Sequence, residues 1–223
     1  MYDCYSRLRN HLKWGFIIYR CDYRNDSDWT YFIKRWSDVV NATLTEWDKS
    51  YLFNNLEWTI KEDRATLDRA NIDDIRRIFT AWTKSKETLA EQQAAIDLGV
   101  LGSPRYWFCV HVDAEALDSC LTYDKFPEDK QDSFWIEKRD PALGRTPYVN
   151  IVRKDLELEM PPRYPEDDDG EEAGEDDEGE LDEVISVKVH WEAAVPDVYV
   201  NLNQSLDGFE AIARDVDQDG VHL

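Results

Sequence analysis

The chain has 223 residues, of which 42% are apolar and nine are tryptophan. That is enough to bury a real core in one large domain or two small ones. Its formal net charge is -22, and a surface of that sign repels phosphate backbones and anionic headgroups. Nucleic acid and membrane surfaces are therefore not expected partners. No stretch reaches the ~18 apolar residues of a membrane span, and the first residues carry no apolar signal-type segment, so the cytoplasm or nucleus is the expected location. The four cysteines, Cys4, Cys21, Cys109 and Cys120, have neither CxxC nor zinc-finger spacing. In a reducing compartment they read as free thiols.

Trp14-Gly-Phe-Ile-Ile-Tyr19 is a short aromatic and β-branched run that reads as a buried strand. Asn25-Asp-Ser-Asp28 supplies helix-capping residues. Trp29, Phe32, Ile33, Trp36, Val39 and Val40 then recur at helical spacing, which predicts an amphipathic helix ending near Leu44. Leu56-Glu-Trp-Thr-Ile60 alternates like a strand. Asn71 precedes a second apolar stripe of Ile72, Ile75, Phe79 and Trp82, with Asp74 placed to close a capping box. Glu87 to Asp97 has helix-forming composition and reads as peripheral.

Tyr106 to Val112 is the strongest strand signal, followed by Asp113 as N-cap and a short helix through Leu121. Phe134 to Ile136 reads as a short strand, Tyr148 to Val152 as another, and Val184 to Trp191 as a cleanly alternating one. A final helix is expected from about Leu206 to Arg214. The pattern predicts an α+β domain: a mostly antiparallel sheet of about five strands with helices on one face.

Between Glu166 and Glu183 lie thirteen acidic residues and no Lys or Arg. Removing those thirteen charges from -22 leaves -9 for the rest. Such a run has too little apolar area to order itself. The predicted organisation is thus one domain over residues 1–163 and 184–205, an acidic loop at 164–183, and a C-terminal helix and acidic tail at 206–223.

Four blocks look familiar as an ordered set. They are Trp14 to Arg20; Lys61 to Asp68 running into Ile75-Arg-Arg-Ile-Phe-Thr-Ala-Trp82; Ser103-Pro-Arg-Tyr-Trp-Phe-Cys-Val-His-Val-Asp-Ala-Glu-Ala116; and Tyr148 to Arg153 followed by an acidic run. Together they resemble a family of uncharacterised filamentous-fungal proteins, and the resemblance covers most of residues 14 to 200. The resemblance implies a fungal, intracellular protein and carries no activity with it.

Three constellations can be weighed for chemistry. Cys109, His111 and Asp113 share one strand face, a set that suits a nucleophile and base or a metal site. Same-face neighbours on a strand lie about 7 Å apart, however, and the plainer reading is a buried thiol, a half-buried imidazole and a capping carboxylate. Arg64 and Arg105 suit an anionic ligand or internal ion pairs. Asp215, Asp217 and Asp219, in Asp215-Val-Asp-Gln-Asp-Gly220, match half of a calcium loop, but the closing Glu and exiting helix are missing. No metal site is therefore expected there, and no cofactor motif occurs elsewhere.

The sequence reads first as a binding or protein-interaction protein, with the acidic loop available to a basic protein. The alternative is a small-molecule enzyme with a pocket near His111. A deep pocket with two or more converging polar side chains would favour the enzyme, and a filled core with an exposed aromatic patch the binder.

Overall fold

A computed structural model describes residues 4–97, 103–123, 146–155, 184–202, 207–216 and 220–222. The expected strand at 134–136 and the acidic loop at 164–183 lie outside the described residues.

After an N-terminal 3-10 segment, Cys4–Asn10, come β1 (Ile17–Arg20), α1 (Asp26–Glu46), β2 (Thr59–Lys61), α2 (Arg64–Leu67), α3 (Ile72–Thr83) and α4 (Lys86–Asp97). Then follow β3 (Phe108–Val112), α5 (Ala114–Tyr123), β4 (Tyr148–Arg153) and β5 (Ser186–His190). Two short helices, α6 (Tyr199–Leu202) and α7 (Asp207–Arg214), precede β6 (Val221–His222). The strands form one sheet in the order β2-β1-β3-β4-β5-β6.

The α+β class stands, but the sheet is mixed rather than mostly antiparallel. The β1–β2, β1–β3 and β5–β6 pairs are parallel, and β3–β4 and β4–β5 are antiparallel. The cause is the spacing of the first strands. Long helical connections separate β1, β2 and β3, and such crossovers return the chain in the same direction.

The helices also cover both faces, not one. On the first face, Ile18, Val110, Val112, Val149, Ile151 and Val189 pack against the stripe of α1 (Trp29, Phe32, Trp36, Val40, Leu44), and α5 and α7 complete this core. Ring contacts tie it together: Phe32 to Trp36 at 5.5 Å, Trp36 to Trp58 at 4.7 Å, and Phe108 to Phe209 at 4.9 Å. On the second face, Ile17, Tyr19, Cys109 and Val152 pack against Leu67, Ala70, Ile75 and Phe79 from α2, α3 and the turn between them. Phe209, Ile212 and Val221 belong to the first core, so the C-terminal elements are part of the domain.

Local chemistry explains the elements. Asn25 caps α1 by accepting from the Ser27 amide at 2.9 Å. At the start of α3, Asn71 Oδ1 accepts from the Asp74 amide at 2.9 Å and Asp74 answers to the Asn71 amide, a complete capping box. Gly15 sits at φ +103, where a Cβ would come within 3.0 Å of Leu56 Cδ1 and 3.1 Å of Glu57 O. A glycine there lets the segment before β2 lie against Trp14 and Phe16. Tyr106 is not in β3; it ends the 3-10 turn Pro104–Tyr106 and stacks on Trp82 at 6.4 Å.

Candidate functional site

The chain leaves β1 through α1, on the first face, to reach β2 on one side. It returns through α2 to α4, with α2 and α3 on the second face, to β3 on the other side of β1. Where crossovers diverge like this, the carboxyl ends of the two central strands are left with a crevice between the flanking loops, the usual ligand position in such sheets. A cleft of ≈ 790 Å³ opens at that point, lined from β1 by Cys21 to Arg24, from β3 by His111 and Asp113, and by the start of α5. Its roof is the segment from Arg64 to Asp73. A second hollow of ≈ 460 Å³ shares Ala114 and Glu115 and runs on along α5 past Asp118.

Backbone and side-chain bonds fix the roof. The Arg69 amide donates to the Cys21 carbonyl at the end of β1 (3.0 Å), and Ala70 O lies 3.0 Å from His111 Nε2 on β3. Arg69 adopts φ +60, a left-handed conformation unusual for a residue with a side chain, and these two bonds hold it there.

His111 is 1% exposed, not half-buried as the polar look of its strand face suggested, because α2 and α3 cover that face. Since Ala70 O only accepts, Nε2 carries the proton. Nδ1 then accepts from Asn150 Nδ2 at 3.3 Å, and the same amide nitrogen donates to His111 O at 3.3 Å. Burial lowers the pKa of His111; Asp113 and the Ala70 carbonyl oppose it without reversing the shift. The imidazole is thus a neutral, doubly engaged strut.

Cys109 is fully buried, and burial raises its thiol well above the usual range, with Cys21 adding to the effect. Burial likewise pushes Cys21 up to about 12. Neither sulfur is poised as a thiolate nucleophile. Asp113 caps α5 by accepting from the Ala116 amide at 2.8 Å. Cys21, His111 and Asp113 line the cleft, while Cys109 lies behind it in the second core.

Arg64 lines the cleft, while Arg105 does not. Arg105 is 1% exposed and lies elsewhere, donating to Glu91 Oε1 (2.9 Å), Gly15 O (3.1 Å) and Thr59 Oγ1 (2.7 Å). Glu91 also accepts from Tyr106 Oη at 2.8 Å and pairs with Lys13 at 3.2 Å. Helix α4, expected to be peripheral, is anchored through this carboxylate. Nothing in its composition marked Glu91, because its partners sit on two other segments, the Pro104–Tyr106 turn and the stretch around Lys13.

The sequence signal for the cleft was weak. Asp22, 5% exposed, faces it and is held by Arg24, which bridges to Asp118 at 2.8 Å. Burial raises the Asp22 carboxyl, but the Arg24 bonds outweigh it and leave the group below its usual range. The order β2-β1-β3 alone would have located these residues, and strand order is not legible in a sequence.

Of the calcium-loop residues, Asp215 has an exposed side chain 3.8 Å from His222 Nδ1; Asp217 and Asp219 lie outside the described residues. Among the described residues no group of His, Cys, Asp and Glu is arranged to hold a metal ion. Nor, among them, is any helix long and apolar enough to cross a membrane. No protein-family model, curated protein or solved structure matches the chain.

Proposed function

We propose that this is an intracellular binding protein, without catalysis of its own, whose ligand sits in the cleft at the carboxyl ends of β1 and β3. The observation that carries this reading is the position of the ≈ 790 Å³ cleft at the divergence of the two crossovers, with its roof bolted to both strands. Its size falls within the range of small-molecule sites. A polar cleft beside His111 is the feature that favours the enzyme alternative, but that alternative places its chemistry at His111, and there the geometry supports it poorly. Both ring nitrogens are engaged and the nearby thiols are buried and protonated, whereas a base must reach its proton and a nucleophile must be activated.

The acidic run from Glu166 to Glu183 supports a second contact, with a basic protein, on grounds of charge alone. The fungal source implied by the sequence resemblance belongs to the same reading.

Native mass spectrometry of the full chain after exposure to a metabolite extract tests the cleft. An Ala114→Trp variant, which fills the floor at the start of α5, serves as the control. The wild type should retain a small molecule that the variant loses. Equal retention by both, or none by either, would sink the proposal.

A further inference from the structure

In a chain with 48 acidic and 26 basic residues, an unpaired carboxylate is ordinary and an unpaired arginine is not. Arg20, Arg24, Arg76, Arg77, Arg105 and Arg153 each have a carboxylate oxygen within 4.0 Å. Arg214 has none among the described residues, but it ends α7, where the helix dipole itself suits a cation. Arg9 has none either, but it lies over the Tyr51 ring. Arg64 and Arg69, both exposed, also lack a carboxylate partner among the described residues, and these two line the same cleft. Asp68 lies one helical turn from Arg64 and lines the cleft too, yet the two form no ion pair. Arg69 is moreover set in place by its left-handed backbone and its bond to Cys21.

Guanidinium groups grip planar oxyanions with two parallel hydrogen bonds. Two of them facing one cleft await an anion. The rest of the lining limits how much charge that anion carries. Asp22, Asp68, Asp73, Asp113 and Glu115 outnumber Arg24, Arg64 and Arg69 by two. A phosphate dianion meets twice the repulsion of a monocarboxylate from that surplus. Ala70, Ile72 and Ala114 add apolar wall. The starts of α3 and α5 also face the cleft, but Asp73, Asp74 and Glu115 already answer their dipoles, so they do not by themselves call for a phosphate.

We infer that the cleft takes a small monocarboxylic acid with an apolar body, its carboxylate held by Arg64 and Arg69. This rests on the proposal that the cleft is the ligand site.

Calorimetric titration of the full chain with hexanoate and 4-phenylbutyrate tests it, with 4-phenylbutyramide and inorganic phosphate as controls. The variant is Arg64→Gln with Arg69→Asn, since Asn tolerates the left-handed backbone at 69. An unchanged melting temperature and circular dichroism spectrum confirm that it folds. The acids should bind, and the double variant should weaken them at least tenfold. The amide should bind at least tenfold more weakly than its acid, and phosphate more weakly than either acid. Asp68→Asn with Asp73→Asn should tighten the acids by removing repulsion. Binding of the amide as tight as that of its acid, affinity unchanged in the arginine variant, phosphate binding tighter than the acids, or no binding by either acid would each overturn the inference. A neutral molecule retained by the wild type and lost from Ala114→Trp would sink the inference while leaving the cleft as the ligand site.

Discussion

Trp36 is the most informative single position in the first core. It is fully buried in the α1 stripe, 5.5 Å from Phe32 and 4.7 Å from Trp58 by ring centroids. Truncation to alanine removes the whole indole between three layers that cannot all collapse into the space. Such changes cost about 3–5 kcal/mol. One feature acts the other way: the indole Nε1 is buried without a hydrogen-bond partner. An unmet buried donor costs about 1–3 kcal/mol, and phenylalanine removes it while keeping one aromatic ring. The expected result is therefore a pair of outcomes. Trp36→Ala should lose about 3–5 kcal/mol, from a total near 5–15 kcal/mol. Trp36→Phe should stay within about 1 kcal/mol of wild type, because the lost packing and the removed donor offset. Urea unfolding followed by circular dichroism gives both numbers. A Trp36→Ala cost below about 1 kcal/mol would refute the placement of this stripe against the sheet. A Trp36→Phe cost as large as that of Trp36→Ala would refute the offset.

His111→Ala should destabilise by about 1–3 kcal/mol, since it strands the buried Ala70 carbonyl and leaves Asn150 Nδ2 only the backbone carbonyl of residue 111. The same unfolding assay checks it, and a neutral result would mean that the second face is open to water. Asn71→Ala breaks the capping box of α3 and should cost about 1 kcal/mol, read as faster amide exchange at the start of that helix. His11 is 4% exposed and its pKa is lowered by burial to about 4 from the usual 6.5. The unfolded chain therefore binds the proton first, and stability falls as pH drops from 6.5 towards 4, by on the order of 3 kcal/mol from this group. Replacing His11 with Gln should flatten that part of the pH–stability curve; an unchanged slope would show that His11 is not the group responsible.

Patterns that depend on one element were legible in the sequence. The α1 stripe is the observed one, from Trp29 through Leu44, and the Asn71–Asp74 capping box forms as the spacing required. Patterns that depend on pairing were not. Cys109 and His111 alternate with valines, so the strand read as one apolar face and one polar face. In the structure every residue of β1 and β3 is buried. The clue was the near-continuous apolar run at Trp14 to Tyr19 and again around Phe108, which suits parallel strands covered on both sides. The cleft was out of reach for the same reason. Arg64 was singled out, but Arg69 and Asp22 become neighbours of His111 only once β1 is known to lie beside β3.

The first core draws on both ends of the chain. Leu8 and Trp14 share it with Phe209, Ile212 and Val221, and Tyr5 Oη donates to Asp197 Oδ1 at 2.6 Å across 192 positions. This matters while the protein is being made. The β1-to-β3 portion leaves the ribosome first, with Phe108, Val110 and Val112 facing a core that β5 has yet to complete. Seventy-five positions separate Val112 from Val187 on β5, about 4–15 s of synthesis at roughly 5–20 residues per second. For that interval the nascent chain carries an apolar sheet face in need of cover, a natural target for chaperones. The thirteen carboxylates between Glu166 and Glu183 emerge immediately ahead of the closing strand. Like charge of that density would be expected to oppose association between unfinished chains at that stage. Chains stalled once residue 183 has cleared the ribosomal tunnel, but before β5 can pair, should accordingly aggregate faster when this run is deleted, a difference that pelleting of arrested ribosome complexes measures directly.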